Sequence, residues 1–97
     1  MSSPYIIKIT EYCSKCGIDV DFLYQLEKEN LVKIHVIDND HWIDDSQFWK
    51  IERYIRWHYD LSINVEGIDV IDNLLGKISE MQDEMSRLKE QLRLINL

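Results

Sequence analysis

From Ile71 to Ile95 the apolar residues fall on two interleaved seven-residue series. Ile71, Ile78, Met85 and Leu92 form one; Leu74, Met81, Leu88 and Ile95 form the other, three positions later. The flanking positions are mostly Glu, Asp, Gln, Lys, Arg and Ser. An apolar repeat of this kind predicts a coiled-coil seam, and at 1.5 Å per residue this one extends about 36 Å. A single helix cannot bury such a stripe on the short chain that precedes it. The pattern therefore predicts a partner helix, most economically a second copy of the chain, with a heterotypic helix as the alternative. The seam leaves parallel and antiparallel pairing open. Gly76 lies outside it and weakens the helix by roughly 1 kcal/mol relative to Ala.

The chain before the seam is patterned in shorter pieces. Tyr5-Ile6-Ile7-Lys8-Ile9 is β-branched and loosely alternating, which predicts a short strand. Thr10 is placed to cap a helix with Glu11 in its first turn, and Gly17 ends it. Asp19 or Asp21 then caps a second helix carrying Phe22, Leu23 and Leu26 inward, closed by Leu31 and Val32. Two short helices joined at a glycine make a helix-turn-helix. Alternation from Val32 to Ile37, a polar Asp38-Asn39-Asp40 turn and His41-Trp42-Ile43 predict a hairpin. A third helix starts at Asp44-Asp45-Ser46 and runs to about Leu61, with Phe48, Ile51, Ile55, His58 and Tyr59 inward. The expected fold is mostly α. A winged helix-turn-helix head with a small β hairpin spans residues 1–66, and a long coiled-coil dimerisation helix spans residues 67–97, in one folding unit.

Composition narrows the function. Three Trp, five Tyr and two Phe within a 45% hydrophobic chain of 97 residues argue against disorder. No apolar run reaches 18 residues, so no membrane helix is expected. Met-Ser-Ser-Pro lacks the basic and apolar segments of a signal peptide, and cytoplasm is the expected location. Eighteen acidic residues against 11 basic ones give a net charge of −7. Duplex DNA is bound by neutralising phosphates with Lys and Arg, so this balance argues against DNA and favours a basic protein surface. Cys13 and Cys16 form a single CxxC without a second pair, and His35, His41 and His58 are scattered. The cysteines are therefore read as structural, with Cys13 inward, and no metal or cofactor is expected. Only three glycines occur, none in a phosphate loop, and no carboxylate is paired with a histidine or nucleophile in a catalytic pattern. No enzyme activity is expected.

Two groups of residues are candidates for binding a partner. Asp38, Asp40, Asp44 and Asp45 surround Trp42, which is either an aromatic anchor or a filler between wing and helices. Asp44 and Asp45 have the competing role of capping the third helix. Trp49, Arg53 and Trp57 stand at i, i+4 and i+8, so Arg53 is placed to lie across an indole. That stripe either docks a partner or packs against the long helix or a dimer partner.

A head of this kind followed by a coiled-coil helix resembles the plan of MerR-type proteins, and within them the chain is most similar to the CbpM family of chaperone modulators. The matching pieces are Ile9-Thr10-Glu11-Tyr12-Cys13, Gly17-Ile18, Trp42 with Asp44-Asp45, then Arg53, Arg56 and Leu61, Gly67-Ile68, and the heptad helix with Leu88 and Leu92. They span roughly residues 5 to 95. The resemblance implies an antiparallel homodimer. It also implies a protein partner, the J-domain of a DnaJ/CbpA-like co-chaperone, whose stimulation of a DnaK-type chaperone and whose DNA binding are blocked. MerR-type regulators carry Arg and Tyr where the second helix enters the major groove. Here Asp19-Val20-Asp21-Phe22-Leu23 stands in their place, and the wing tip is acidic. The alternative, a MerR-type DNA-binding transcriptional regulator, would rely on Lys50, Arg53 and Arg56, with Lys15, Lys28 and Lys33 on phosphates. A third reading is a structural dimer that joins two larger partners.

Overall fold

The computed structural model describes residues 5–96; Met1–Pro4, read above as lacking a signal peptide, lie outside them. The order is β1 (Ile6–Lys8), α1 (Ile9–Cys16), α2 (Val20–Lys28), β2 (His35–Ile37), β3 (Asp40–Asp44), a 3-10 turn (Asp45–Gln47), α3 (Phe48–Ile55), a π turn (Arg56–Asp60) and α4 (Val65–Ile95). The molecule is thus a winged helix-turn-helix head with one long C-terminal helix.

Helix α1 and helix α2 are amphipathic, burying Ile9, Tyr12 and Cys13 from one and Phe22, Leu23 and Leu26 from the other. Gly17 turns the chain between them at φ 68°, a left-handed conformation in which a side chain is strained. The amides of Gly17 and Ile18 both bond the Cys13 carbonyl. Helix α1 starts one residue before the expected cap. Lys8 holds the N-cap position without a side-chain bond, and Thr10 lies inside the helix because β1 runs directly into it. Asp19 is the N-cap of α2, also without a side-chain bond; its amide donates to Tyr59 Oη at 3.1 Å.

The wing is a three-stranded antiparallel sheet in the order β1-β3-β2, one strand more than the expected hairpin. Ile7 stands opposite Ile43, and His35 and Lys8 flank Trp42 from either side. Asp38 and Asn39 turn the hairpin with φ of 52° and 65°. Two successive left-handed residues match the twist of the flanking strands, and Asp and Asn tolerate them well.

The third helix spans the expected stretch, but its buried side differs from expectation. Ile51 and Tyr54 are fully buried, Phe48 and Ile55 are half-buried, and Tyr59 is 44% exposed. The widened π turn after Ile55 shifts the phase of the last five residues, which a regular 3.6-residue period does not allow for. His58 stacks on Phe22 at 4.4 Å, and Tyr59 stays at the rim, edge-on to the same ring.

Helix α4 begins at Val65, capped by Asn64, whose side chain accepts from the Gly67 amide at 2.7 Å. A Cβ at Gly67 would lie 2.8 Å from Ile63 Cγ2, so the tight cap requires glycine. Val65 and Ile68 complete the head's core. Beyond Asp72 every described residue of α4 is exposed.

Candidate functional site

The expected site residues fall on three surfaces. On the outer face of the sheet, β3 places Asp40, Trp42 and Asp44 side by side, as the two-residue period of a strand requires. Lys8 Nζ reaches Asp40 at 3.4 Å and sits 5.6 Å from the centre of the Trp42 ring. Trp42 is half-buried, and its Nε1 is buried without a hydrogen-bond partner among the described residues. Asp44 accepts from Ser46 Oγ, from Gln47 Nε2 at 2.7 Å and pairs with His35 Nε2 at 2.8 Å. The Ser46 and His35 bonds hold its carboxyl well below the usual carboxylate range. It flanks the 3-10 turn at the N-cap, without the side-chain bond to a backbone amide that a capping role implies. Asp38 and Asp45 are exposed and form no ion pair among the described residues. Of the four acids, two are therefore neutralised or saturated internally and two face solvent free.

The second surface joins α3 to α4. The guanidinium of Arg53 lies over Trp49 at 5.2 Å and over Trp57 at 5.0 Å, the arrangement expected from their spacing. Its Nη2 donates to Asp72 Oδ1 of α4 at 2.9 Å, and Tyr54 Oη donates to the same oxygen at 3.0 Å. Burial raises the Tyr54 hydroxyl to about 12, with the Asp72 carboxylate adding to the effect. Arg53 is thus occupied in fastening the long helix to the head, and Trp57 lies beneath its guanidinium against the core. Trp49 remains 63% exposed.

The third surface is the seam. Leu74, Ile78, Met81, Met85, Leu88, Leu92 and Ile95 are all between 45% and 77% exposed, and Ile71 is half-buried. The side of α4 that meets the head, through Val65, Ile68 and Asp72, is different from this stripe. The seam is left open for another helix.

Several residues that complete these surfaces escaped the sequence. Gln47 is a buried polar residue whose amide closes a two-way bond with the backbone of Lys33, at 2.6 Å and 2.7 Å, besides reaching Asp44. His35 and Asp72 become partners only through the fold; nothing in their spacing links them to Asp44 or Arg53. Cys13 is buried, which pushes its thiol up to about 11, whereas Cys16 is exposed. No group of three His, Cys, Asp or Glu among the described residues is arranged to hold a metal ion. A cleft of about 290 Å³ between α2 and the start of α4 is lined by Gln25, Lys28, Glu29, Val65 and Glu66, without a nucleophile or histidine. No described helix is long and apolar enough to cross a membrane.

Comparison with known proteins places this geometry in context. The profile of the MerR HTH family regulatory protein matches residues 7–90, which takes in the head and most of α4. The chaperone modulatory protein CbpM of Pseudomonas entomophila is 23% identical over 95 residues, covering 95% of this chain and 94% of its own. The protein of the same name from Escherichia coli K12 is 27% identical over 85 residues, covering 87% and 84%. That from Shigella boydii serotype 18 matches to the same extent.

Proposed function

We propose that this chain, which belongs to the MerR HTH regulatory protein family, is a chaperone modulator that binds the J-domain of a DnaJ/CbpA-like co-chaperone and inhibits it. The observation that carries this reading is similarity along the whole chain, head and long helix alike, to proteins named chaperone modulators. Charge supports it. The net charge is −7, and the start of α2, where a groove-reading helix would need cations, carries Asp19 and Asp21. The protein acts in the cytoplasm as a homodimer joined through α4, since seven of the eight apolar seam positions otherwise face water. Of the expected partner residues, Asp38 and Asp45 have no ion pair among the described residues, whereas Asp40, Asp44 and Arg53 are paired with Lys8, His35 and Asp72.

The test mixes the purified protein with the J-domain of a co-chaperone encoded in the same genome. Saturable binding that weakens with salt, and loss of the co-chaperone's stimulation of its DnaK-type ATPase, are expected. An unchanged ATPase at saturating protein would sink the inhibitor reading. Salt-sensitive binding to duplex DNA instead would favour the DNA-binding regulator that the family description also covers.

A further inference from the structure

A helix-turn-helix head meets DNA with the exposed side of its second helix and the adjoining wing. In this protein that face is continuous. Tyr24 of α2 meets His41 of β3 edge to face at 5.7 Å, and His41 stands opposite Val36 of β2 on the same side of the sheet. Asp21 lies one turn before Tyr24 on the exposed side of α2, Lys28 one turn after it, and Asp38 marks the wing tip. The chemistry is unusual for a nucleic-acid face. Val36 is 63% exposed and Tyr24 36%, while Asp21 and Asp38 have no cationic partner among the described residues. Carboxylates at the helix start and at the wing tip repel phosphates at the two places where a duplex would lie closest.

We propose that this α2–wing face, rather than the α3 stripe, receives the partner, and that the partner presents a basic helical surface. An apolar side chain of that surface packs on Val36 and Tyr24, and its cations meet Asp21 and Asp38. The α3 stripe is the poorer match. Its exposed side carries Glu52 and Arg56 beside Trp49, so a basic partner there meets mixed charge rather than two unpaired carboxylates. The assignment rests on the modulator reading and names the surface through which it works.

The experiment measures J-domain binding calorimetrically at two salt concentrations for the wild type, Val36→Lys, Asp21→Lys and Trp49→Ala, with circular dichroism on each. Val36 and Asp21 are exposed and sit on different elements, so the two substitutions report separately. Asp38→Asn is a third variant, because Asn suits the same left-handed turn. Each lysine variant is expected to weaken binding about tenfold or more while keeping its helicity. Trp49→Ala is expected to stay within about threefold of the wild type, and Asp38→Asn to lose part of the salt dependence. Wild-type affinity in the folded lysine variants, or a larger loss from Trp49→Ala, overturns the surface assignment and leaves the modulator reading standing. No J-domain binding by the wild type overturns both. Binding of a duplex DNA probe that both lysines strengthen would give the face to nucleic acid and overturn the assignment as well.

Discussion

The head and the far half of α4 solve the same problem in opposite ways. In the head, Leu23, Leu26, Ile43, Ile51 and Ile68 reach zero exposure within a single chain. Along α4 beyond Asp72, an equally regular set of Leu, Ile and Met leaves about half of each side chain or more in water. The apolar residues themselves are similar; what differs is the arrangement of neighbours. Short elements folding back on one another enclose their own core, whereas a straight helix presents its stripe to whatever lies alongside. The head's core is therefore closed within one chain, whereas the far part of α4 gains no such closure from its own chain.

The largest effect expected from that contrast is in the head. Leu26→Ala removes a fully buried side chain and should cost about 2–5 kcal/mol, measured by urea unfolding followed by tryptophan fluorescence. The loss should be the same at high and low protein concentration. If it grew on dilution, head and assembly would be one cooperative unit and the contrast would break.

Leu88→Lys makes the complementary change at the centre of the seam. It should convert a dimer into a monomer in sedimentation velocity and abolish the dependence of Tm on concentration. The head's near-ultraviolet dichroism should persist. A wild-type protein that sediments as a monomer at tens of micromolar would remove the second copy as the occupant of the seam.

A smaller effect separates the wing from the rest of the head. The carboxyl of Asp44 titrates well below its ordinary value because Ser46, His35 and Gln47 bond its ionised form. A group with a depressed folded pKa contributes stability above its unfolded pKa of about 3.9 and loses it as pH falls toward the folded value. Stability should therefore decline below about pH 4. Asp44→Asn should lower stability at pH 7 and flatten that decline, read from urea midpoints between pH 3 and 7. An acid slope identical to the wild type's would place the titrating group elsewhere.

The same contrast governs how much could be read from the sequence. The long helix was legible from its period alone: α4 carries all eight apolar heptad positions, and seven of them stay exposed along it. The helix-turn-helix and the hairpin were legible from Gly17 and from Asp38-Asn39, whose backbone conformations are local properties. The pairing of β1 with β3 was not, because Ile7 meets Ile43, 36 positions away, and no period connects them. Of the two residues beyond Ile55 read as inward, His58 does stack on Phe22, but Tyr59 stays exposed, where hydrogen bonding widens to a π turn without a sequence signal such as Gly or Pro. At the candidate site, the Trp49–Arg53–Trp57 stack followed from helical spacing. Its anchor did not: Asp72 is one of many acids on α4, and only tertiary packing selects it as the partner of Arg53.

The smallest change sharpens the comparison from the other side. Gly76 occupies the position of α4 that points away from the seam, and a Cβ there would meet nothing within 4 Å. Gly76→Ala should raise helix stability by about 0.5–1 kcal/mol through backbone entropy alone. In the head such a gain would appear in the unfolding of each chain. On α4, if a second copy orders the far helix, it should appear mainly as tighter association, a few-fold lower dimer dissociation constant by sedimentation equilibrium. Tighter association with unchanged head unfolding would locate the cost of ordering α4 in the assembly step. A gain in head unfolding with unchanged association would mean that α4 is already rigid in the single chain, held by Asn64 and by the Arg53–Asp72 clamp.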